Sequence, residues 1–270
     1  MYGAIIGDIV GSIYEFNNHR SKNFELFSEK CFFTDDTVMT LAVAKALLSY
    51  DRVEDVEAFK RTLVECMHEL GNAYILAGYG GRFLSWIMRR LTEPYNSYGN
   101  GSAMRVSACV WYARSLEEAM ALAEASSAVT HNHPEGIKGA VVTAGAAYLA
   151  RTGADKAQIR EFIERYYRLD FTIDEIRPTY RFNETCQGTV PQAMEAFLES
   201  ESFEDCVRLS ISVGGDSDTL AAISCTVAEA FYGVPATMRI YATSYLDERL
   251  FSILEDFTEK YPVAVAEDPV

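Results

Sequence analysis

Two short acidic stretches, far apart in the chain, carry residue types and spacings suited to chemistry. The first is Phe33-Thr34-Asp35-Asp36-Thr37 and the second is Gly214-Gly215-Asp216-Ser217-Asp218-Thr219. Each sets two carboxylates and neighbouring hydroxyls within a few residues, and each runs directly into an apolar segment, 38–48 and 220–232. That order reads as a loop entering a buried helix, with Asp or Thr as its cap. Either stretch alone is ordinary capping, because acids at a helix N-terminus suit the macrodipole. An adjacent Asp-Asp pair is more charge than a cap requires, and the pattern occurs twice. If the pairs converge, their repulsion must be neutralised by protons or by cations, and a metal fits better at neutral pH. Clustered oxygen donors of this kind suit Mg²⁺ or Mn²⁺, which take about six ligands per ion.

Other stretches could serve a polar ligand. In Gly3-Ala4-Ile5-Ile6-Gly7-Asp8-Ile9-Val10-Gly11, glycine recurs at every fourth residue. One helix face therefore lacks side chains and invites close packing. Asp8 and Glu15 are seven residues apart and fall on one face if the helix runs through both. An acid in so apolar a segment needs a partner or a role, and Glu15 is a candidate. Gly78, Tyr79 and Gly80 precede a predicted helix, where free backbone N–H groups can meet a phosphate; a plain turn is the simpler reading. Ser97, Tyr98, Gly99, Asn100 and Gly101 form a small polar loop able to wrap a ligand with backbone amides. His131 and His133 are two of the four histidines. No cysteine or third histidine lies near them, so a ligand contact or a capped turn suits them better than zinc. No Gly-x-Ser-x-Gly elbow is present, which disfavours a serine nucleophile.

The positioning elements read as helices almost throughout. Predicted spans are 3–16, 37–50, 55–70, 81–91, 102–113, 115–128, 134–151, 155–168, 190–199, 203–213, 218–232, 236–245 and 248–260. Ser115 and Ser202 stand three residues before an acid, the spacing of a capping box. Pro134 and Pro235 suit a first turn. Gly71, Gly153 and Gly233 are predicted helix stops. Segments 37–48, 140–150 and 220–231 are apolar nearly all round and should form the centre of a bundle. Spans 55–70 and 155–168 carry charge on one face and should lie outside. The expectation is a single all-α domain over residues 1–270.

Composition bounds the partners. The chain has 270 residues and a net charge of −15, and no basic cluster offers a nucleic-acid surface. Six scattered cysteines without a Cys-x-x-Cys read as buried thiols in a reducing compartment. No apolar run is long enough for a membrane span, and the start lacks a basic leader, so a soluble, cytoplasmic protein is expected. The oligomeric state is left open, a monomer being compatible.

Taken together these stretches resemble the ADP-ribosylglycohydrolase family, which includes the dinitrogenase-reductase-activating glycohydrolase. The matching pieces are Gly7-Asp8 through Glu15, Phe33 to Thr37, Gly78-Tyr79-Gly80, Ser97 to Gly101, Thr130-His131, Cys186-Gln187-Gly188-Thr189-Val190-Pro191, and Gly214 to Thr219. The resemblance implies an all-α fold with a two-metal centre, Mg²⁺ or Mn²⁺, in a central cleft. Thr34, Asp35 and Asp36 would ligate from the first loop and Asp216, Asp218 and Thr219 from the second. Glu15 would be the acid at the reacting ribose. Gly78, Tyr79 and Gly80, with Ser97 to Gly101, would hold the pyrophosphate and ribose, and His131 would lie near the ligand. The implied substrate is an ADP-ribosylated protein or a small ADP-ribose conjugate, linked through arginine, serine or another group. Two alternatives stand beside it: a non-catalytic, crystallin-like relative, and a two-metal hydrolase of another nucleotide. The family varies across residues 17–31, where His19, Arg20 and Lys22 fall.

Overall fold

The computed structural model describes residues 1–263 and 265–266. Its core is α12 (Ser217–Tyr232), whose residues are all buried up to Ala230. A helix with no polar face must be surrounded, and α12 packs against α1 (Tyr2–Gly11), α7 (Pro134–Arg151), α10 (Cys186–Glu199) and α11 (Phe203–Val213). A second layer forms on α2 (Asp35–Leu48), which contacts α1, α3 (Val56–Ala73), α5 (Ser107–Tyr112) and α14 (Glu248–Lys260). The remaining helices are α4 (Gly81–Met88), α6 (Leu116–Ala128), α8 (Lys156–Glu164), α9 (Ile173–Ile176) and α13 (Ala236–Thr243), with a 3₁₀ turn at Asn100–Ser102. Among the described residues the only strands are β1 (Val234–Pro235) and β2 (Val265–Ala266), paired in parallel. The protein is thus one all-α domain, with the expected apolar helices α2, α7 and α12 inside. No helix among the described residues is long and apolar enough to cross a membrane.

The glycine stripe of α1 explains how two helices approach so closely. A Cβ at Gly3 would lie 2.1 Å from the Cys225 carbonyl oxygen, one at Gly7 2.4 Å from the Ala221 backbone, and one at Gly11 2.4 Å from the Asp218 Cα. Backbone therefore rests on backbone along the whole contact. At its start α1 is capped by Glu229 of α12, which pairs with the Met1 amino group and accepts from the N–H groups of Tyr2 (3.1 Å) and Gly3 (2.9 Å).

Several sequence expectations change; the helix expected over 102–113, for one, begins at Ser107. Helix α1 ends at Gly11, five residues before the predicted end, and turns where Tyr14 N donates to the Gly11 carbonyl at 2.8 Å. Glu15 thus leaves the helix and no longer shares a face with Asp8. Gly71 does not stop α3, which continues to Ala73; a Cβ there would lie 2.4 Å from the Ile87 side chain, so its smallness serves packing. Helix α10 begins at Cys186, before the predicted 190, with Pro191 inside it. The expected stops at Gly153 and Gly233 are present, both at positive φ, 91° and 75°. Ser115 and Ser202 cap α6 and α11 by accepting from Glu118 N and Asp205 N, each at 3.1 Å.

Candidate active site

Asp35 and Asp36 fall in the first turn of α2, after Thr34 as N-cap. Asp216 is the N-cap of α12, and Asp218 lies in its first turn. Because α1 packs against both helices, it draws the two N-termini together. Asp8 is the tie. Its carboxylate accepts from Thr34 Oγ1 at 2.7 Å, Thr34 N at 2.9 Å and Thr37 N at 3.0 Å, satisfying the exposed donors of α2. The Thr219 hydroxyl donates to Asp36 at 3.1 Å, and the Asn100 amide donates to Asp216 at 2.6 Å. Carboxylate oxygens of Asp8, Asp36 and Asp218 lie within 4.8 Å of one another, as do those of Glu15, Asp216 and Asp218. Asp218 belongs to both groups.

So many acids in one buried place cannot all keep their charge unaided. Burial pushes the carboxyls of Asp35, Asp36 and Asp218 well above the usual range, and repulsion adds to it. Burial also raises Asp216 to about 6, opposed by donation from Asn100. Glu15 is pushed up to about 8 by burial and by the charges of Asp218 and Asp8. Asp36 Oδ1 is buried with no hydrogen-bond partner. Carboxylates and hydroxyls, with one buried oxygen left without a partner and no nitrogen or sulfur ligand among them, fit a hard divalent cation.

These acids open onto a cleft of about 390 Å³. The sequence candidates Glu15, Asp35, Asp36, Asp216, Asp218 and Thr219 line it, as do Gly78, Gly80, Ser97, Tyr98, Gly99, Asn100, Gly101 and His131. Two candidates do not. Thr34 turns its hydroxyl to Asp8 at 2.7 Å, with an Asp218 carboxylate oxygen 3.5 Å away. Tyr79 is buried with its ring 5.4 Å from that of Phe83, so its segment meets the cleft through its glycines. Gly78, at φ 105°, takes a conformation closed to most side chains.

The loop 97–101 is held from behind by the N-terminus of α10. Cys186 N donates to the Tyr98 carbonyl at 2.9 Å, Asn100 N to the Glu184 carbonyl at 2.8 Å, and Asn100 Nδ2 to Thr189 Oγ1 at 3.1 Å. This gives the Cys186–Pro191 stretch its place: it braces the loop whose Asn100 meets Asp216. His131 is braced in turn. Arg105, buried, donates to Thr130 Oγ1 at 2.9 Å, and that hydroxyl lies 2.7 Å from His131 Nδ1. With the hydroxyl hydrogen on Nδ1, the imidazole proton would sit on Nε2. Burial and the charges of Arg105 and Arg82 hold His131 well below its usual pKa, hence neutral. Nε2 lies close to Gly99 and Gly101; a Cβ on either would come within 3.5 Å and 3.3 Å of it. His133 accepts from Glu135 N at 3.1 Å and caps α7, as a capped turn requires.

Sequence reasoning left Asp8 without a place in the acidic cluster. Its signal was present: one buried acid on a glycine-striped apolar helix. It also left out Arg82, Tyr95, Phe182 and Glu184, which line the cleft from irregular segments and α4 and bear no local pattern.

The family model for ADP-ribosylglycohydrolase covers residues 1–262. The chain belongs to the ADP-ribosylglycohydrolase family of enzymes. It is similar to ADP-ribosylhydrolase ARH3 of Mus musculus, 24% identical over 86% of this chain and 82% of that protein. It is also similar to ADP-ribosylarginine hydrolase Tri1 of Pseudomonas putida (strain GB-1), 27% identical over 87% of this chain and 70% of that protein. A solved chain described as an ADP-ribosylglycohydrolase-related protein complex shares the fold, with TM-score 0.69 and 22% identity over 95% of this chain and 94% of that one.

Proposed function

We propose that this chain is a metal-dependent hydrolase that cleaves the glycosidic bond between ADP-ribose and a modified acceptor, releasing ADP-ribose. The observation that carries the reading is the convergence of both acidic loops and Glu15 on one cleft. Two divalent cations, Mg²⁺ or Mn²⁺, would be held by Asp35, Asp36, Asp216 and Asp218 with Thr34 and Thr219. When bound, the cations would supply Lewis-acid polarisation at the ribose and neutralise the repulsion among the acids.

The chain's own groups would do the rest. Gly78 and Gly80, with Ser97 to Gly101, leave room for backbone to approach a pyrophosphate and ribose, and the Tyr98 ring, 45% exposed, offers a face for stacking. The neutral His131 would donate from Nε2 without adding charge. Cleavage builds positive charge on the sugar, and the acids around it favour that charge. Glu15 would carry a proton between the departing acceptor and the incoming water. It is half-buried and lines the cleft, so it can reach both the ligand and the cluster.

Among acceptors, arginine-linked ADP-ribose fits first. Tri1 bears that linkage in its name. The rings of Phe16 and Phe182 stack at 6.0 Å beside Glu15, 84% and 47% exposed, and such faces attract a planar guanidinium. The six cysteines are unpaired and buried, which supports a reducing compartment, the cytoplasm.

The test is hydrolysis of arginine-linked and serine-linked ADP-ribosyl peptides with Mg²⁺, with Mn²⁺ and with a chelator. Metal-dependent release of free ADP-ribose supports the reading. Release of AMP or inorganic phosphate, or tight binding of ADP-ribose without turnover, would overturn it.

A further inference from the structure

Glu15 stands on a connection, not on a helix, yet its carboxylate meets Asp216 and Asp218 within 4.8 Å. Something outside the acidic cluster must fix that connection. Three contacts do so: two reach the residues beside the second acidic loop, and one reaches the segment after Tyr180.

The first is Arg20. Its guanidinium donates to the carbonyls of Val213 and Tyr180, each at 2.6 Å, and to that of Arg177. Val213 is the last residue of α11 and Arg177 is the C-cap of α9. Both helix ends present carbonyls without an intrahelical partner and carry negative partial charge. A planar cation with several fixed donors can serve two such ends at once, which a lysine cannot. Gly214 makes the room. It sits at φ 75°, and a Cβ there would lie 2.9 Å from Arg20 Cζ.

The second is Asn18. Its Oδ1 accepts from Gly215 N at 2.9 Å, while its Nδ2 donates to the carbonyls of Gly215 at 3.2 Å and Glu15 at 3.0 Å. One side chain thus joins the backbone of Glu15 to the residue before Asp216. The third is the Phe16–Phe182 stack, which fastens the neighbour of Glu15 to the segment that follows Tyr180.

We infer that Arg20, assisted by Asn18, is a positioning residue that holds the Glu15 connection against the second acidic loop. Neither side chain lines the cleft; they act through Glu15. The inference rests on the reading of Glu15 as the proton carrier.

The test compares wild type with Arg20→Ala, Arg20→Lys and Asn18→Ala, using an ADP-ribosyl peptide that the wild type hydrolyses. Expected are a fall in kcat of tenfold or more for Arg20→Ala, a partial fall for Arg20→Lys, and a dissociation constant for free ADP-ribose within twofold of wild type. In a Glu15→Gln background, removing Arg20 should cost nothing further, because the group it positions is already gone. Unchanged kcat in Arg20→Ala, or a full additional loss in the Glu15→Gln background, overturns the inference. Amide hydrogen exchange is measured on every variant. Faster exchange at residues 13–20 and at Gly215, with the rest of the fold protected as in wild type, supports the clamp; unchanged exchange there overturns it. Because exchange needs no turnover, an inactive wild type would sink the proposed function while leaving the clamp testable.

Discussion

The Thr219 hydroxyl donates to the Asp36 carboxylate at 3.1 Å, joining two loops 183 residues apart in sequence. It makes the two acidic stretches one group, because the first turns of α2 and α12 now share a hydrogen bond as well as a cluster of charge. Removing Asp36 should therefore act in two opposite directions. Without divalent cations at pH 7.5, Asp36→Asn should raise the melting temperature, since one buried like charge is gone. With Mg²⁺ or Mn²⁺ it should lose the cation's stabilisation, which by mass action is about 2.7 kcal/mol at a hundred times the dissociation constant, and its activity. Asp218→Asn should behave alike. Thermal melts with and without each cation read both effects, and full cation stabilisation in either variant would remove that residue from the ligand set.

Glu15→Gln keeps the shape of the side chain and removes its proton chemistry. Positioned acid–base groups contribute about 10²–10⁴-fold, so kcat should fall at least about 100-fold. Binding of ADP-ribose should change little. Single-turnover kinetics with calorimetric binding separates the two. A variant that turns over at the wild-type rate would take Glu15 out of the mechanism.

The pH dependence of stability has a definite sign. The carboxyls of Asp36, Asp216, Asp218 and Glu15 are all raised in the folded protein. In the unfolded chain such groups titrate near 4. The unfolded state therefore loses its protons first, and stability present below about pH 4 drains away as pH rises through the folded values, about 6 for Asp216 and about 8 for Glu15. In a chelator, the cation-free protein should melt at a higher temperature at pH 5.5 than at pH 7.5. Saturating Mg²⁺ should flatten that slope by taking the place of the protons. A melting temperature that climbs with pH in chelator would contradict the clustering of these acids.

Much of this arrangement was legible before the fold. Apolar runs on all sides mark α2, α7 and α12 as central, and the doubled acidic motif marks the N-termini of α2 and α12, because capping and burial leave local signatures. The glycines of α1 announced a close contact but not its partner. The end of α1 falls before its expected place: Ile13, Tyr14 and Phe16 continue an apolar pattern, but Phe16 is solvent-exposed. Arg20 and Asn18 could not be read at all. Their partners are mainly backbone groups of distant segments, and a carbonyl made available by a helix ending far away has no residue type to reveal it.

The contact between α1 and α12 gives the sharpest mutational contrast. Alanine is the better helix former by about 0.8–1 kcal/mol, so Gly→Ala inside a helix should stabilise wherever space allows. At Gly81, in the first turn of α4, an added Cβ meets nothing within 4 Å. Gly81→Ala should be neutral or stabilising by up to that amount. At Gly7 the same methyl would lie 2.4 Å from the Ala221 backbone and 2.6 Å from Ala222 N. Backbone cannot rotate away, so α1 must lift from α12, at an overpacking cost of about 1–3 kcal/mol or more that outweighs the propensity gain. Asp8 moves with α1, and with it the carboxylate that ties Thr34 and Thr37 into place. Gly7→Ala should therefore lower the urea midpoint and weaken cation binding together, whereas a purely packing defect would lower only the first. An unchanged midpoint would mean that α1 is not seated on α12 as closely as described.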